Sequence, residues 1–164
     1  MPERPSVLLG DVLRPRTVHR GVVTALALML ESAAIESANP VTVLADFHSD
    51  EFFTSEAAAR FTAMAAVHPF VAVLGTTAAA TIPGLRSAVP ERSSDGPAEW
   101  SLVIIGTEQA TALIVRELHR MPGHFEYALT HHRDLVAAAG RSLIARLLPD
   151  PEVTQYDVPR PESS

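Results

Sequence analysis

Apolar residues recur at helical spacing along residues 17–39, which predicts the first element of the chain. The positions that share one side of this helix are Val18, Val22, Leu26, Met29 and Ala33. Thr17 is a suitable N-cap, and Asn39-Pro40 is a stop signal. Because the apolar arc is wide, we expect two elements of the same domain, or a partner subunit, to cover this helix.

Two continuous apolar runs follow, with a helical pattern between them. Residues 41–47 and 70–74 are short and rich in β-branched residues, as in strands that are buried on both faces. Ser55 can cap the intervening helix, which we predict for residues 56–67, and Pro69 ends it. These elements predict one strand-helix-strand unit.

The rest of the chain predicts a loop and four further elements. Residues 75–98 contain three prolines and no sustained periodicity, which is typical of a long loop or lid. Beyond this loop we predict a strand at 100–105, a helix at 108–120 capped by Thr107, and a strand at 125–129. A final helix carries Asp134 in its first turn, where a carboxylate suits the helix dipole.

This order of elements predicts an α/β fold, with α+β as the alternative. We expect a mixed sheet of four to five strands with about four helices packed on it, in one domain of residues 17–148. Residues 1–16 hold three prolines and are interpreted as an N-terminal arm, and residues 149–164 as a disordered tail rich in proline and acid. A free helical face would suit a homodimer.

The composition removes several classes of function. The chain of 164 residues has no cysteine, which excludes disulfides, zinc–thiolate sites, iron–sulfur clusters and thiol nucleophiles. The net charge is -6 and all 13 basic residues are scattered arginines, so we expect no direct binding of nucleic acid. The longest apolar segment, about nine residues, is too short to span a membrane. With no secretory signal at the N-terminus, we expect a cytoplasmic protein without membrane attachment.

A group of polar residues at the end of the first predicted strand is the strongest candidate for chemistry. Asp46, His48 and Asp50 alternate along the chain and could converge on a hard metal ion, as in a small metal-dependent hydrolase. The other histidines form no H-x-x-E-H or H-E-x-x-H pattern, and metal sites normally draw ligands from several elements. We therefore expect neither a metal nor another cofactor.

Two other interpretations of the same stretch remain open. In one, Ser49-Asp50-Glu51 is a turn, and the phenylalanines at 47, 52 and 53 return the chain to the core. In the other, residues after the strand line a ligand pocket, as at the strand ends of many α/β sheets. Phe47 would then supply a ring face and His48 a hydrogen-bond partner.

The remaining motifs give weaker indications of function. The chain lacks G-x-S-x-G, and Ser93-Ser94 lie away from any predicted strand-to-helix elbow, so a serine triad is not expected. Gly75-Thr76-Thr77 and Gly106-Thr107-Glu108 follow strands, which raises the alternative of a phosphate cradle, although neither has a Walker lysine. His131-His132 are interpreted as solvated or capping residues, with a pH switch as the alternative.

Glu31 stands out because it lies in an otherwise apolar helical segment. An acid is costly to bury unpaired. We therefore expect Glu31 to reach water, an arginine such as Arg20 or Arg60, or a ligand, and we favour solvent exposure at the edge of the helix.

Several short motifs, taken in order, resemble the DICT sensory domain. They are Leu28-Met-Leu-Glu31, Val43-Leu-Ala-Asp-Phe-His48, Glu51-Phe-Phe53, Arg60-Phe61, Val71-Ala-Val-Leu-Gly75, Trp100-Ser-Leu-Val103 and Phe125-Glu-Tyr-Ala-Leu-Thr130, followed by an alanine-rich helix. The resemblance covers about residues 17–148. That family is attached to diguanylate cyclases, two-component proteins and helix-turn-helix regulators. This chain differs in having Phe47-His48 where the family has a Phe-Gln pair, and we expect no output domain after the sensory one.

The resemblance implies a non-enzymatic, stand-alone signalling domain that binds a ligand, a regulatory protein, or both. The expected partner is a signalling or transcription-regulatory protein. The residues that we expect at the ligand are Phe47, His48, Glu31, Arg60 and Trp100. Two alternatives are the metal-dependent hydrolase built on Asp46, His48 and Asp50, and a structural dimerisation partner without a ligand pocket.

Overall fold

The computed structural model describes residues 3–6, 10, 16–90 and 97–148 of the chain. In this part of the protein, seven strands form one sheet in the order β1-β7-β6-β5-β2-β3-β4. The strands are β1 (Arg16–His19), β2 (Val41–Asp46), β3 (Phe70–Leu74), β4 (Arg86–Ala88), β5 (Glu99–Gly106), β6 (Ala110–Glu117) and β7 (His124–Thr130). The helices are α1 (Arg20–Glu36), α2 (Ser55–Val67) and α3 (Arg133–Leu147), and short 3-10 helices lie at Asp50–Phe52 and Ala78–Thr81.

The sheet has an antiparallel part and a parallel part that share β2. Strands β1, β7, β6, β5 and β2 pair antiparallel in that order, whereas β2, β3 and β4 pair parallel. Short turns join β5 to β6 and β6 to β7, as antiparallel neighbours allow, and α2 supplies the crossover that the parallel pair β2–β3 requires. In this register Leu44 of β2 lies between Ala72 of β3 and Val103 of β5.

Side chains of the central strands alternate between two helical layers. The face that packs against α1 and α2 buries Val43, Ala45, Val71, Val73, Leu102 and Leu113, together with Phe61 and Met64 of α2. The opposite face buries Leu44, Ala72, Leu74, Val103, Ala112 and Ile114, together with Val136, Ala139 and Leu143 of α3. Because helices cover both faces, the central strands are apolar at nearly every position.

The α/β class is confirmed, but the predicted numbers of elements were wrong. The described residues contain seven strands instead of four to five, and three helices instead of about four. The main cause is residues 108–120, which were predicted as a helix and contain β6. A short apolar run looks alike in a buried helix and in a strand that is covered on both sides. Here the β-branched residues Thr111, Ile114 and Val115 favour the strand.

Three further predictions need correction. The first helix begins at Arg20 and not near Thr17, because residues 16–19 pair with β7 and place Val18 opposite Phe125. The predicted loop of residues 75–98 contains a 3-10 helix and β4, which pairs with β3. The remaining predicted strands and helices are confirmed with small shifts at their boundaries. Thr54, not Ser55, caps α2, with its Oγ1 accepting a hydrogen bond from the backbone N–H of Ala57 at 3.2 Å.

The described part of the N-terminal arm is attached to the rest of the fold. The backbone N–H of Ser6 donates to Glu99 at 3.3 Å, and the Ser6 hydroxyl donates to the same carboxylate. Ser142 of α3 donates its hydroxyl to the backbone carbonyl of Glu3. The predicted tail, residues 149–164, and residues 91–96 of the long loop lie outside the described residues. None of the described helices combines the length and hydropathy that crossing a membrane requires.

Candidate functional site

A cavity of about 150 Å³ lies between α1, α2 and the sheet, at the carboxyl end of β2. The helical side of its wall consists of Arg20, Val23, Thr24, Ala27 and Glu31 of α1, and of Thr54, Ala57 and Arg60 at the start of α2. The sheet and its loops contribute Ala45, Asp46, Phe47, Phe52, Trp100, Ser101, Leu102 and Phe125. Strand ends of this kind are common places for binding crevices in α/β folds.

Three alanines account for the empty space. Ala27 lies on α1, Ala45 on β2 and Ala57 on α2, so each of the three elements around the cavity presents a methyl group to it. Elsewhere on the same face, the fully buried side chains of Phe61 and Met64 fill the gap between α2 and the sheet. Cores normally leave few voids larger than a water molecule. The cavity thus marks a place where packing is interrupted.

Aromatic rings form much of the apolar wall. Phe47 packs edge-on against Phe53 and Phe61, with ring centres 4.9 Å and 5.4 Å apart. Phe52 lies below the guanidinium of Arg20, whose central carbon is 5.3 Å from the ring centre. The predicted turn is confirmed as the 3-10 helix at Asp50–Phe52. Phe53 returns the chain to the core, whereas Phe47 both joins this aromatic cluster and lines the cavity.

The charged part of the wall is an ion pair between the two helices. Arg60 of α2 donates from Nε to a carboxylate oxygen of Glu31 of α1. Glu31 is only 3% exposed, and burial raises the pKa of its carboxyl group, while the hydrogen bond and the positive charge of Arg60 act in the opposite direction. Of the partners that we considered for Glu31, the structure thus shows Arg60, and the favoured expectation of solvent exposure was wrong.

The three residues of the alternative metal site have separate partners. Asp46 forms an ion pair with Arg146 of α3 at 2.7 Å, and its other carboxylate oxygen accepts the backbone N–H of His48 at 3.0 Å. His48 has a φ of 64°, a left-handed conformation that is uncommon for a residue other than glycine, and it does not line the cavity. Within the described ranges, no three His, Asp or Glu side chains are grouped so that they could hold a metal ion.

Asp50 occupies the place where we considered a phosphate cradle. Its carboxylate accepts hydrogen bonds from the hydroxyl of Thr76 at 2.6 Å and from the backbone N–H of Thr77 at 2.7 Å, and the Thr77 hydroxyl adds a third. These bonds hold the pKa of Asp50 below its ordinary value. The donors after β3 are therefore already satisfied by an anion of the protein itself.

Of the remaining three motifs, two have simple structural surroundings. Gly106-Thr107-Glu108 forms the turn between β5 and β6, so the helix N-terminus that a phosphate cradle requires is not there. Thr111 and His131 are hydrogen-bonded at 3.0 Å, and His132 precedes α3 without capping it through its side chain. Ser93-Ser94 lie outside the described residues.

Four of the five residues that we expected at a ligand lie around the same cavity, namely Phe47, Glu31, Arg60 and Trp100. The fifth, His48, lies outside the lining. Sequence reasoning missed Phe125, which reaches the cavity from β7, and the residues Thr24, Ala27, Ala57, Ser101 and Leu102. The period of two in a strand places Phe125, Tyr127 and Leu129 on one side of β7, but it does not say which element that side contacts. Nothing in the pattern indicated that β7 lies close to α1.

Comparisons of the chain with models of known protein families, with curated proteins and with solved structures find no match. The resemblance to the DICT sensory domain therefore stays a prediction. What this site does has to be inferred from the chemistry of its own residues.

Proposed function

We propose that this chain is a non-enzymatic signalling domain that binds a small ligand in the cavity between α1, α2 and the sheet, and that a protein partner responds to the occupied state. The observation that carries the proposal is the cavity itself, about 150 Å³ in volume, with aromatic walls and one charged pair. Mostly apolar cavities with a few polar groups are the usual form of small-molecule sites. The resemblance to a sensory family supports the same function.

The size of the cavity limits the ligand. An apolar cavity of similar volume in another protein holds benzene, so we expect a ligand of about six to ten non-hydrogen atoms. A nucleotide would not fit without movement of α1 or α2.

The composition of the wall favours binding over catalysis. The hydroxyl groups in the described lining belong to Thr24, Thr54 and Ser101, and no histidine accompanies them. A hydroxyl is a weak nucleophile unless a base activates it. The two lining carboxylates, Glu31 and Asp46, are each held by an arginine.

Helix α1 is the element best placed to carry the signal. Its inner side lines the cavity, and its outer side exposes Val22, Leu28 and Met29 to the extent of 45%, 45% and 56%. Exposed apolar residues of this size on one helix suit contact with another protein. A ligand that binds one packing of α1 better than another would shift the population of the surface that the partner contacts.

The fluorescence of Trp100 offers a direct test, because Trp100 is the only tryptophan of the chain and lies in the wall of the cavity. We would titrate the protein with a set of neutral, anionic and cationic compounds of this size and follow both Trp100 emission and the unfolding temperature. Compounds that bind should shift both quantities.

Two variants locate the binding. Ala27→Leu should fill the cavity and abolish the response, whereas Ala33→Leu places the same side chain on an exposed position of α1 and should leave the response intact. If no compound of any charge class shifts either quantity in the unmodified protein, or if Ala27→Leu responds equally, ligand binding at this site is refuted.

A second candidate function is structural dimerisation, which the exposed apolar residues of α1 favour by themselves. Sedimentation of the protein and of a Met29→Glu variant, combined with the compound titration, would distinguish structural dimerisation from ligand-dependent signalling. A dimer that Met29→Glu dissociates, together with no response to any compound, would favour the structural function.

A further inference from the structure

Arg60 retains hydrogen-bonding capacity after its bond to Glu31. A guanidinium carries five N–H donors, and Glu31 engages the one on Nε. Among the described residues, the terminal nitrogens of Arg60 have no hydrogen-bond partner, although its side chain is only 28% exposed and lines the cavity. This fork of unused donors matches the two oxygens of a carboxylate.

A second cation lies in the same wall. Arg20 is the first residue of α1, and its guanidinium is placed over the ring of Phe52. Within the part of the chain that the structure describes, Arg20 forms no ion pair. The stacking holds the guanidinium at the cavity wall without neutralising its charge.

The remaining electrostatics of the cavity also favour an anion. The lining contains Arg20 and Arg60 against Glu31, because the charge of Asp46 is matched by Arg146 from the opposite face of the sheet. The first turn of α1 contributes Arg20 and Val23 to the wall, and helix N-termini carry partial positive charge, whereas the first turn of α2 contains Glu56 and is capped by Thr54. The first turn of α1 has no acidic residue and no side-chain cap.

We infer that the ligand is a small aromatic or branched aliphatic monocarboxylate, whose carboxylate is held by the terminal nitrogens of Arg60 with support from Arg20. The apolar body of the ligand lies against Phe47, Trp100 and Phe125. This inference rests on the proposed function, since it names the class of ligand for the same cavity.

Three probes with the same ring and different charge test the inference: benzoate, benzamide and benzylammonium. Titration calorimetry and Trp100 emission should show that benzoate binds about tenfold or more tightly than benzamide, as expected for a charge-assisted pair, and that benzylammonium binds most weakly. The affinity for benzoate should fall as salt is added.

Four variants assign the contact. Arg60→Gln should weaken the binding of benzoate about tenfold and leave the affinity for benzamide unchanged. Arg20→Gln should weaken benzoate binding by a smaller factor. Glu31→Gln should strengthen benzoate, because it removes the carboxylate that competes for Arg60. Arg116→Gln is the matched control, since Arg116 pairs with Glu126 in an exposed cross-strand pair and does not line the cavity.

Arg60→Gln alone could fail to fold because it leaves Glu31 buried without its arginine. The double variant Glu31→Gln/Arg60→Gln removes both charges, and it should fold and lose the preference for benzoate over benzamide. If benzamide or benzylammonium binds at least as tightly as benzoate, the inferred ligand class is wrong while ligand binding stands. If none of the three probes binds, the inferred class is likewise refuted, and the broader compound set decides whether the cavity binds anything.

Discussion

The two faces of the sheet are built differently. On the α3 face, Leu44, Val103, Ala139 and Leu143 are almost completely buried, and a Cβ atom at Gly140 would lie 3.6 Å from both Leu44 and Val103, an ordinary packing distance. On the α1/α2 face, alanines leave a cavity that an arginine–glutamate pair and aromatic rings border. Close packing stabilises a fold, whereas a cavity forfeits contacts. If the proposed function is right, the close packing of the α3 face serves stability and the interrupted packing of the α1/α2 face serves binding.

The largest effects should come from deleting the same side chain on each face. Leu143→Ala on the α3 face should lower the free energy of unfolding by about 4 kcal/mol, because it opens a new cavity in a close-packed layer. Leu102→Ala should cost about 2 kcal/mol, since Leu102 already borders empty space and water can enter the enlarged cavity. Urea unfolding of both variants provides the measurement. Equal losses would mean that the two faces are packed alike.

Enlarging an alanine should destabilise the close-packed α3 face but not the face that contains the cavity. Ala139→Leu inserts a larger residue into the α3 layer and should destabilise the protein by about 2 kcal/mol through overpacking. Ala27→Leu places the same atoms in the cavity and should leave stability unchanged or raise it slightly. Thermal unfolding followed by circular dichroism would compare them. Ala27→Leu as damaging as Ala139→Leu would show that the cavity cannot accept a ligand-sized group.

Local physical rules were enough to predict part of this arrangement. The cost of burying a lone carboxylate predicted that Glu31 reaches water, an arginine or a ligand, and Arg60 is its partner, although solvent exposure was the favoured outcome. The tendency of binding sites to lie at strand ends placed Phe47 near a cavity. The continuous apolar runs predicted β2 and β3 as buried strands. Each of these inferences depends on neighbours in the chain or on a single energetic penalty.

What could not be predicted depends on pairing between distant segments. β1 is a strand because it lies beside β7, and without that partner residues 16–19 continue the apolar pattern of α1. Residues 112–115 of β6 are buried alternately on the two helix-covered faces of the sheet, so all four are apolar and the period of two that identifies a strand is hidden. The approach of Phe125 to α1 follows from the same strand order. Strand order is a property of the whole chain and leaves little trace in local sequence.

Titration of Glu31, on the α1/α2 face, should have a smaller effect on stability, and this effect should depend on pH. Burial raises its pKa above the ordinary 4.5, so the folded state binds this proton more tightly than the unfolded chain. The stabilisation is fully present below pH 4.5 and is lost as pH rises through the raised pKa. Glu31→Gln cannot titrate and keeps a hydrogen bond to Arg60, so it should cost about 1 kcal/mol or less at low pH.

The measurement is the free energy of unfolding at several pH values from 4 upward. Relative to the unmodified protein, Glu31→Gln should gain stability as pH rises. Glu126→Gln removes the carboxylate of the exposed pair and should show no comparable trend. A constant offset between Glu31→Gln and the unmodified protein at all pH values would contradict a raised pKa at Glu31.

The smallest effect should come from Asp50, should be confined to its surroundings, and should depend on pH in the opposite direction to that of Glu31. Hydrogen bonds from Thr76 and Thr77 hold the pKa of Asp50 below the ordinary 3.8, so the stabilisation they give is present above pH 3.8 and is lost as pH falls through the lowered pKa. We expect the amide hydrogen of Thr77 to lose protection from exchange in acid, and Asp50→Asn to remove that pH dependence. Glu51→Gln, a change at the neighbouring exposed acid, is the control and should leave the pH dependence of Thr77 protection unchanged. Asp50 and Phe52 lie in the same 3-10 helix, and Phe52 lines the cavity, so Asp50→Asn should also weaken ligand binding slightly. An unchanged affinity would show that this segment holds its position without Asp50.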